Sequence, residues 1–415
     1  MRSSLNNPFL PGSDTVPEVW AGRAAELAEA DTVVTVRRLG GVHERGRAVL
    51  GEFGIGKSVL VNRIALETEA DGHWVAPAVR VPLGIDPVTL LLEALRELWL
   101  RQDVDARLGG AAARLTRRLE QVELPVVGGG VRLRPSPEQL PHRVLRDLLV
   151  TMGTAARAAT ASNLPDGRLL LVRLDEVQNI RDPAALSQLL SALGDALEAT
   201  TTETDVAGMP RARALPLAVY LSGLPDLTRA VAAAGATFSR RFRVWDLEPL
   251  TEPELRTALL PFTTTGWPIL GDDGPKAVLL DPEGERELTS ICLGDPFLFQ
   301  LAGEAAWNAG TEAIITVEQV RRGWAGARRE VRRYVAGRLE GLSDLQLSYL
   351  EATAALEPGE RTSAAVAQAL GRSGSAALGS TAAALDTDRG LIRREAGRIR
   401  FRSPAVEAYL NGALS

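Results

Sequence analysis

The sequence predicts an α/β protein: a parallel sheet with helices on both faces, then a helical domain, then a C-terminal winged helix. Three observations lead there. Short apolar segments alternate with helical ones through residue 250, the pattern of parallel strands joined by helical crossovers. An early strand runs directly into a glycine-rich loop that opens a helix. From residue 339 the order becomes helix, helix, helix, short hairpin, helix.

Residues 1–22, with Pro8, Pro11 and Pro17, read as an extended arm suited to lying across a domain surface. Ala24 to Leu39 reads as helix, Arg47 to Leu50 as a short strand, and Val59 to Thr68 has helical apolar spacing. Trp74 to Leu83 reads as a second strand. Asp86-Pro87 then supplies an N-cap and first-turn pair for a helix to Trp99. The stretch 103–140 is irregular, with a helical segment at Arg114 to Gln121 and a hairpin at Val122 to Leu133 around Gly128-Gly129-Gly130. His142 to Ala159 reads as helix. Arg168 to Leu174 is nearly all apolar, as a strand buried on both faces requires. Asp182-Pro183 starts a helix to Thr200, and the polar residues 201–213 read as a loop. Leu215 to Leu221 and Phe242 to Leu247 are further strands. Capping boxes at Thr251/Glu254, Thr316/Gln319 and Ser343/Gln346 mark helix starts, and the segment up to Arg338 reads as helical. The expected domains are an arm over 1–22, a sheet domain over 23–250, a helical lid over 251–338 and a winged helix over 339–415.

With 415 residues, about two or three domains are expected. The 45% hydrophobic and 24% charged fractions are those of a soluble globular protein. A net charge of −5 disfavours a whole-chain polyanion binder, so any nucleic-acid surface must be local. The one cysteine, Cys292, lies in an apolar stretch, which excludes a disulfide framework. His43, His73 and His142 are scattered, without the helical pairing of zinc hydrolases. Neither a signal-peptide run nor an apolar stretch of about 18 residues occurs, so a cytoplasmic protein with no membrane partner is expected. Of the 47 Lys and Arg residues only Lys57 and Lys276 are lysines, which singles out Lys57.

Gly51-Glu52-Phe53-Gly54-Ile55-Gly56-Lys57-Ser58 fits G-x-x-x-x-G-K-[ST], with Val59 continuing into the helix. Glycines let backbone N–H groups turn inward around phosphates, and the helix N-terminus favours an anion. Lys57 is expected to reach the β- and γ-phosphates and Ser58 to hold Mg2+, so ATP and Mg2+ are the expected cofactors. The strand Leu169 to Leu174 ends in Asp175-Glu176, two carboxylates at the edge where open α/β sheets bind ligands. Asp175 is expected to act on the metal through water and Glu176 to polarise the attacking water. Arg173, inside that strand, needs a carboxylate or a solvent-facing edge. Ser222, at the tip of another strand, either contacts the γ-phosphate or attacking water, or caps the next helix. Arg240 and Arg241 read either as an arginine finger toward a neighbouring subunit or as a solvated basic turn.

Taken in order, several segments resemble the origin-recognition-like branch of the AAA+ ATPases, in particular its bacterial ATP-binding members. They are Asn7-Pro8-Phe9-Leu10-Pro11-Gly12, Ala21-Gly22-Arg23 with Glu26-Leu27, the phosphate loop, Leu174-Asp175-Glu176-Val177-Gln178, Ser222-Gly223-Leu224-Pro225 and Gly294-Asp295-Pro296. The resemblance covers nearly the whole chain. It implies an αβα P-loop ATPase domain, a helical lid and a winged helix, with Gly22, Arg23 and Pro296 bordering the nucleotide. One departure stands out: Gly294-Asp295-Pro296 is followed by Phe297, Leu298, Phe299 and Gln300, where many AAA+ members carry a sensor arginine. Such a lid also resembles the STAND-type signalling ATPases, which implies slow turnover or a nucleotide-gated switch.

At the C-terminus, Thr362 to Leu370 and Ser375 to Asp388 read as a helix-turn-helix, followed by a basic wing with Arg393, Arg394, Arg398, Arg400 and Arg402. Such a wing can follow the phosphates of double-stranded DNA. The second helix is rich in Ala, Ser and Leu rather than in base-reading side chains, so docking of a protein partner, or self-association, stays open beside DNA binding.

Overall fold

The computed structural model describes residues 1–12, 15–102, 140–204, 207–233, 238–271 and 274–414. The expected helix at 114–121 and hairpin at 122–133 lie outside these. Two compact units divide the chain. A sheet unit comprises Ala24–Leu50 and Leu60–Asp246; a helical unit comprises Met1–Arg23, Gly51–Val59 and Leu247–Ser415.

The sheet unit contains β1 (Gly46–Leu50), β2 (Trp74–Val75), β3 (Val79–Arg80), β4 (Leu170–Asp175), β5 (Thr200–Thr204), β6 (Pro210–Ala214), β7 (Leu217–Gly223) and β8 (Phe242–Asp246). Six of these form one sheet in the order β2-β4-β7-β1-β8, with β3 also on β4, and every pairing is parallel. All residues of β1 and β7 are buried, which explains why they are apolar except for Arg47 in β1 and Ser222 in β7. Helices Pro87–Arg101, Pro141–Ala158 and Pro183–Glu198 bury Leu91, Leu95, Leu149, Met152, Leu189 and Leu193 in a core shared with Val172, Val219 and Leu221 of the sheet. Asp86 and Asp182 cap two of these helices through their side chains.

Two expectations change here. The strand expected over 74–83 is two short strands, because Pro77 has no N–H to donate to the ladder. The segment 201–213, expected as a loop, is most of an antiparallel hairpin in which Thr200 pairs with Ala214 and Thr204 with Pro210. Its residues are mostly exposed, so the ladder rests on backbone pairing and leaves no apolar period to read. Arg173 is only partly buried. It donates to Asn62 Oδ1 at 2.6 Å, while burial lowers its pKa against the opposing pull of Glu69 and Asp175.

The helical unit holds helices Glu252–Thr263, Pro282–Ile291, Pro296–Asn308 and Val317–Gly337, then Asp344–Ala354, Ser363–Ala369, Gly379–Ala383 and Pro404–Leu410. It also holds β9 (Trp267–Gly271), β10 (Gly274–Leu280) and β11 (Ile314–Ile315), a three-stranded sheet where only helix was expected. Alternate burial of Val278 and Leu280 along β10 is the period-two signal that the capping boxes around it concealed. β12 (Ile392–Glu395) and β13 (Arg398–Phe401) pair antiparallel.

The N-terminal arm is part of this unit's core rather than a surface strap. Phe9 stacks on Phe262 at 5.5 Å between ring centroids and meets Phe299 edge-on at 5.9 Å. Arg2 donates to the Glu312 carbonyl and to Gln319 Oε1, each at 2.7 Å. Cys292 is fully buried, and burial pushes its thiol up to about 12. Among the described residues no helix is long and apolar enough to cross a membrane.

Candidate functional site

The phosphate loop follows β1, and helix Lys57–Ala70 begins at its lysine. Gly54 and Gly56 have φ of +76° and +90°, the left-handed turns that only glycine adopts at little cost and that aim successive N–H groups to one side. The Lys57 ammonium donates to the loop's own carbonyls, Gly51 O at 2.9 Å and Glu52 O at 2.6 Å. It also lies 5.8 Å from the centroid of the half-exposed Phe53 ring. Ile55 is buried, and its carbonyl accepts from Arg23 at 3.1 Å; the same guanidinium donates to Glu248 O at 2.8 Å. Gly22, at φ +68°, leaves no room for a side chain: a Cβ there would lie 2.5 Å from Leu250 Cδ2. Pro296 Cγ lies 3.9 Å from where a Gly56 Cβ would be. Gly51–Ser58, Arg23 and Pro296 are thus assembled in one unit, and Arg23 braces the loop from behind.

This donor set suits a phosphate chain and a hard cation: left-handed N–H groups, one ammonium and the Ser58 hydroxyl. Among the described residues no group of three or more His, Cys, Asp or Glu side chains could hold a metal alone. At this loop Ser58 is the side chain that would hold Mg2+, an ion that commonly keeps phosphate and water among its ligands.

Glu52 turns its carboxylate toward Arg338. It is 4% exposed, neither carboxylate oxygen has a hydrogen-bond partner, and Arg338 Nη1 is 3.8 Å from Oε2. Burial pushes its pKa up to about 7, opposed by Arg338 and reinforced by Asp295. Arg338 donates to Asp295 Oδ2 at 2.5 Å, to the Tyr334 hydroxyl, and to Ser403 Oγ at 2.7 Å. Burial works against its charge, but Asp295, Tyr334 and Glu52 more than offset it and keep it protonated. Tyr334 stacks on Phe297 at 4.1 Å, and its hydroxyl lies so close to Gly54 that a Cβ there would be 2.0 Å from it. No arginine directly follows Gly294-Asp295-Pro296, yet Asp295 has one, delivered just beyond the end of helix Val317–Gly337. Only the chain's packing exposes this; spacing carries no signal for it.

In the sheet unit, Asp175 ends β4 and Ser222 lies on β7. Ser222 is buried and its hydroxyl donates to Asp175 Oδ1, which also accepts from the Glu176 N–H at 2.8 Å. Ser222 lies inside β7, before helix Leu227–Ala233, so it does not cap that helix. Gln178 Oε1 accepts from Leu224 N at 3.3 Å and ties the segment after β4 to the end of β7. Glu176 has φ +56°, an unusual conformation for a non-glycine residue. Its carboxylate accepts from Arg80 at 2.5 and 3.2 Å and from Asn179 at 3.0 Å, partners that sequence spacing did not reveal.

Arg240 and Arg241 part company. Arg241 pairs with Asp195 at 2.7 Å and packs over Gly194, whereas Arg240 is exposed. On β12, Arg393 pairs with Glu248 at 2.7 Å and Arg394 with Asp386 at 3.2 Å. Arg398 donates to Gly359 O and Arg402 to Ile392 O, while Arg400 is exposed.

A family described as a domain of unknown function (DUF8462) matches residues 333–410, a span that takes in Tyr334, Arg338 and Ser403. No curated protein matches the chain. Among solved structures, the Walker-type ATPase PABY2304 of Pyrococcus abyssi is 16% identical, covering 94% of this chain and 96% of that one, with a TM-score of 0.56. The Aeropyrum pernix ORC1 protein in complex with DNA is 15% identical over 98% and 95% of the two chains at a TM-score of 0.39. Cdc6p from Pyrobaculum aerophilum is 15% identical over 97% of each at 0.42. The chain is thus an α/β protein with a P-loop ATPase fold, a statement that rests on the first likeness and on the parallel sheet.

Proposed function

We propose that this chain is an AAA+ ATPase of the origin-recognition-like type, which binds ATP at Gly51–Ser58, hydrolyses it slowly, and couples its nucleotide state to a C-terminal winged helix. The observation that carries the reading is Lys57 at the first position of a helix, behind two left-handed glycines. In this reading Lys57 binds the β- and γ-phosphates, Ser58 and Asp175 serve Mg2+, and Glu176 orients water. Mg2+ screens phosphate charge and orients the terminal phosphate. Gly22, Arg23 and Pro296 border the base and ribose, and Arg240 is the better placed of the two arginines to act on a neighbouring subunit. The arm spans 1–22, the ATPase domain 23–250, the lid 251–338 and the winged helix 339–415.

Hydrolysis of ATP tests this directly. Lys57→Ala abolishes ATP binding, and Glu176→Gln keeps binding while losing turnover; undiminished turnover in Glu176→Gln would remove the general-base assignment.

For the winged helix, double-stranded DNA is the proposed partner, its phosphates followed by Arg393, Arg394, Arg398, Arg400 and Arg402. A specific observation favours a second reading, a STAND-like switch whose winged helix docks protein: Arg393, Arg394, Arg398 and Arg402 are all engaged within the chain. Fluorescence anisotropy with labelled duplex separates the two. Salt-sensitive binding that changes between ADP and ATP supports DNA; no binding at low salt in any nucleotide state makes protein docking the answer.

A further inference from the structure

The buried cluster around Arg338 does nothing in the reaction described above, and it joins three parts of the helical unit through one guanidinium. Glu52 is the hinge of the argument. Its backbone carbonyl holds the Lys57 ammonium at 2.6 Å, and its carboxylate lies 3.8 Å from Arg338. Arg338 in turn holds Ser403, whose hydroxyl accepts from Val406 N at 3.4 Å and so caps helix Pro404–Leu410. Val406 is fully buried in the unit's core, so the position of that cap matters to how the C-terminal helix is seated.

Arg338 is held between two acids. Two carboxylates, Glu52 and Asp295, share one arginine at 3.8 and 2.5 Å, all nearly buried, and Glu52 has no hydrogen bond to either oxygen. A buried carboxylate without hydrogen bonds is costly, and a small change nearby shifts which acid the arginine serves. Phosphate at the loop is such a change. It draws the Lys57 ammonium off Glu52 O and brings further negative charge beside the Glu52 backbone. Arg338, Arg402 and Lys57 all act on the Glu52 carboxylate, but Arg338 is the one that holds Ser403, so its swing toward Glu52 and the loop would take it away from that hydroxyl.

We propose that Arg338 is a nucleotide-sensitive latch: with Lys57 on the loop carbonyls it moors Ser403 and the C-terminal helix, and nucleotide at the phosphate loop releases that mooring. The latch rests on the reading of the loop as a nucleotide site. A chain of contacts carries coupling only where both ends have two arrangements. Here they are Lys57 on carbonyl or on phosphate, and Ser403 held or released.

Coupling is reciprocal, which makes the test sharp. Hydrogen exchange of the amides at 405–410 and ATP affinity are measured on the full chain with Mg2+, for the wild type, Ser403→Ala and Ser403→Asp. ATP raises exchange at 405–410 in the wild type roughly tenfold, within the range of coupled sites. Ser403→Ala, which loosens the mooring, tightens ATP binding severalfold. Ser403→Asp keeps the cap, adds a carboxylate for Arg338, weakens ATP binding and suppresses the exchange response. A merely structural role for Ser403 would not move affinity in opposite directions. Wild-type protein that binds ATP with unchanged exchange at 405–410 overturns the latch alone, as do two Ser403 variants that shift affinity the same way. Wild-type protein that binds no ATP overturns the nucleotide reading of the loop, and the latch with it.

Discussion

Arg80, at the end of β3, holds Glu176, just past the end of β4, in an ion pair of 2.5 Å, and Asn179 takes the other carboxylate oxygen at 3.0 Å. Both oxygens of the proposed general base are therefore turned toward protein partners. Arg80→Ala removes the stronger hold. The expected outcome is a rise in steady-state phosphate release of about tenfold at most, well inside the 10²–10⁴ that general-base catalysis contributes. Glu176→Gln supplies the floor of the assay. A fall in rate would mean that Arg80 aims the carboxylate rather than restraining it.

Ser222 presents a buried hydroxyl to Asp175 Oδ1. A donor behind a carboxylate that serves a metal fixes its orientation. Ser222→Ala is expected to raise the Mg2+ concentration for half-maximal hydrolysis by about 10-fold or more, with ATP binding in chelator unchanged. An unshifted Mg2+ titration would remove Asp175 from the metal's reach.

Glu52 has a pKa pushed up to about 7 by burial, above its ordinary 4.5. An acid whose pKa rises on folding binds more protons in the native state than in the unfolded chain. Its presence is harmless below pH 4.5 and costs stability progressively as pH rises from there through 7, after which the cost is constant. The full difference is on the order of 3 kcal/mol. Glu52→Gln is therefore expected to gain stability over the wild type as pH is raised from 5 to 8, read as a widening gap in melting temperature. A gap that is flat with pH would show that Arg338 holds Glu52 ionised throughout.

Phe9 lies in the helical unit's core, stacked on Phe262, and its ring fills the place where a Gly303 side chain would be. Phe9→Ala is expected to cost about 3–5 kcal/mol, the range for deleting a buried ring, as a lower urea midpoint for the cooperative unfolding of that unit. A change below about 1 kcal/mol would return the arm to the surface role its prolines suggest.

Much of the site was legible in residue order because it is local. A glycine that must turn left-handed, a lysine at a helix start and a strand that ends in Asp175-Glu176 are each written within a few residues. The strands β1, β4 and β7 were equally plain, since burial on both faces favours a mostly apolar run, broken here only by Arg47, Arg173 and the polar ends of β4 and β7. The hairpin β5–β6 was not, because backbone pairing on an exposed face asks nothing of side-chain type. The sheet β9–β10–β11 was hidden by strong helix caps on either side of it.

What the sequence determined alone is the phosphate loop, its strand and its helix, since backbone conformation there depends on neighbours in the chain. What only the tertiary structure decided is which distant side chain answers each charged group: Arg80 for Glu176, Ser222 for Asp175, and Arg338 for Glu52, Asp295 and Ser403 at once. The reason is physical. A buried charge must find a partner, but which partner arrives depends on how whole helix and strand faces pack, and that is a property of the folded chain rather than of any segment of it.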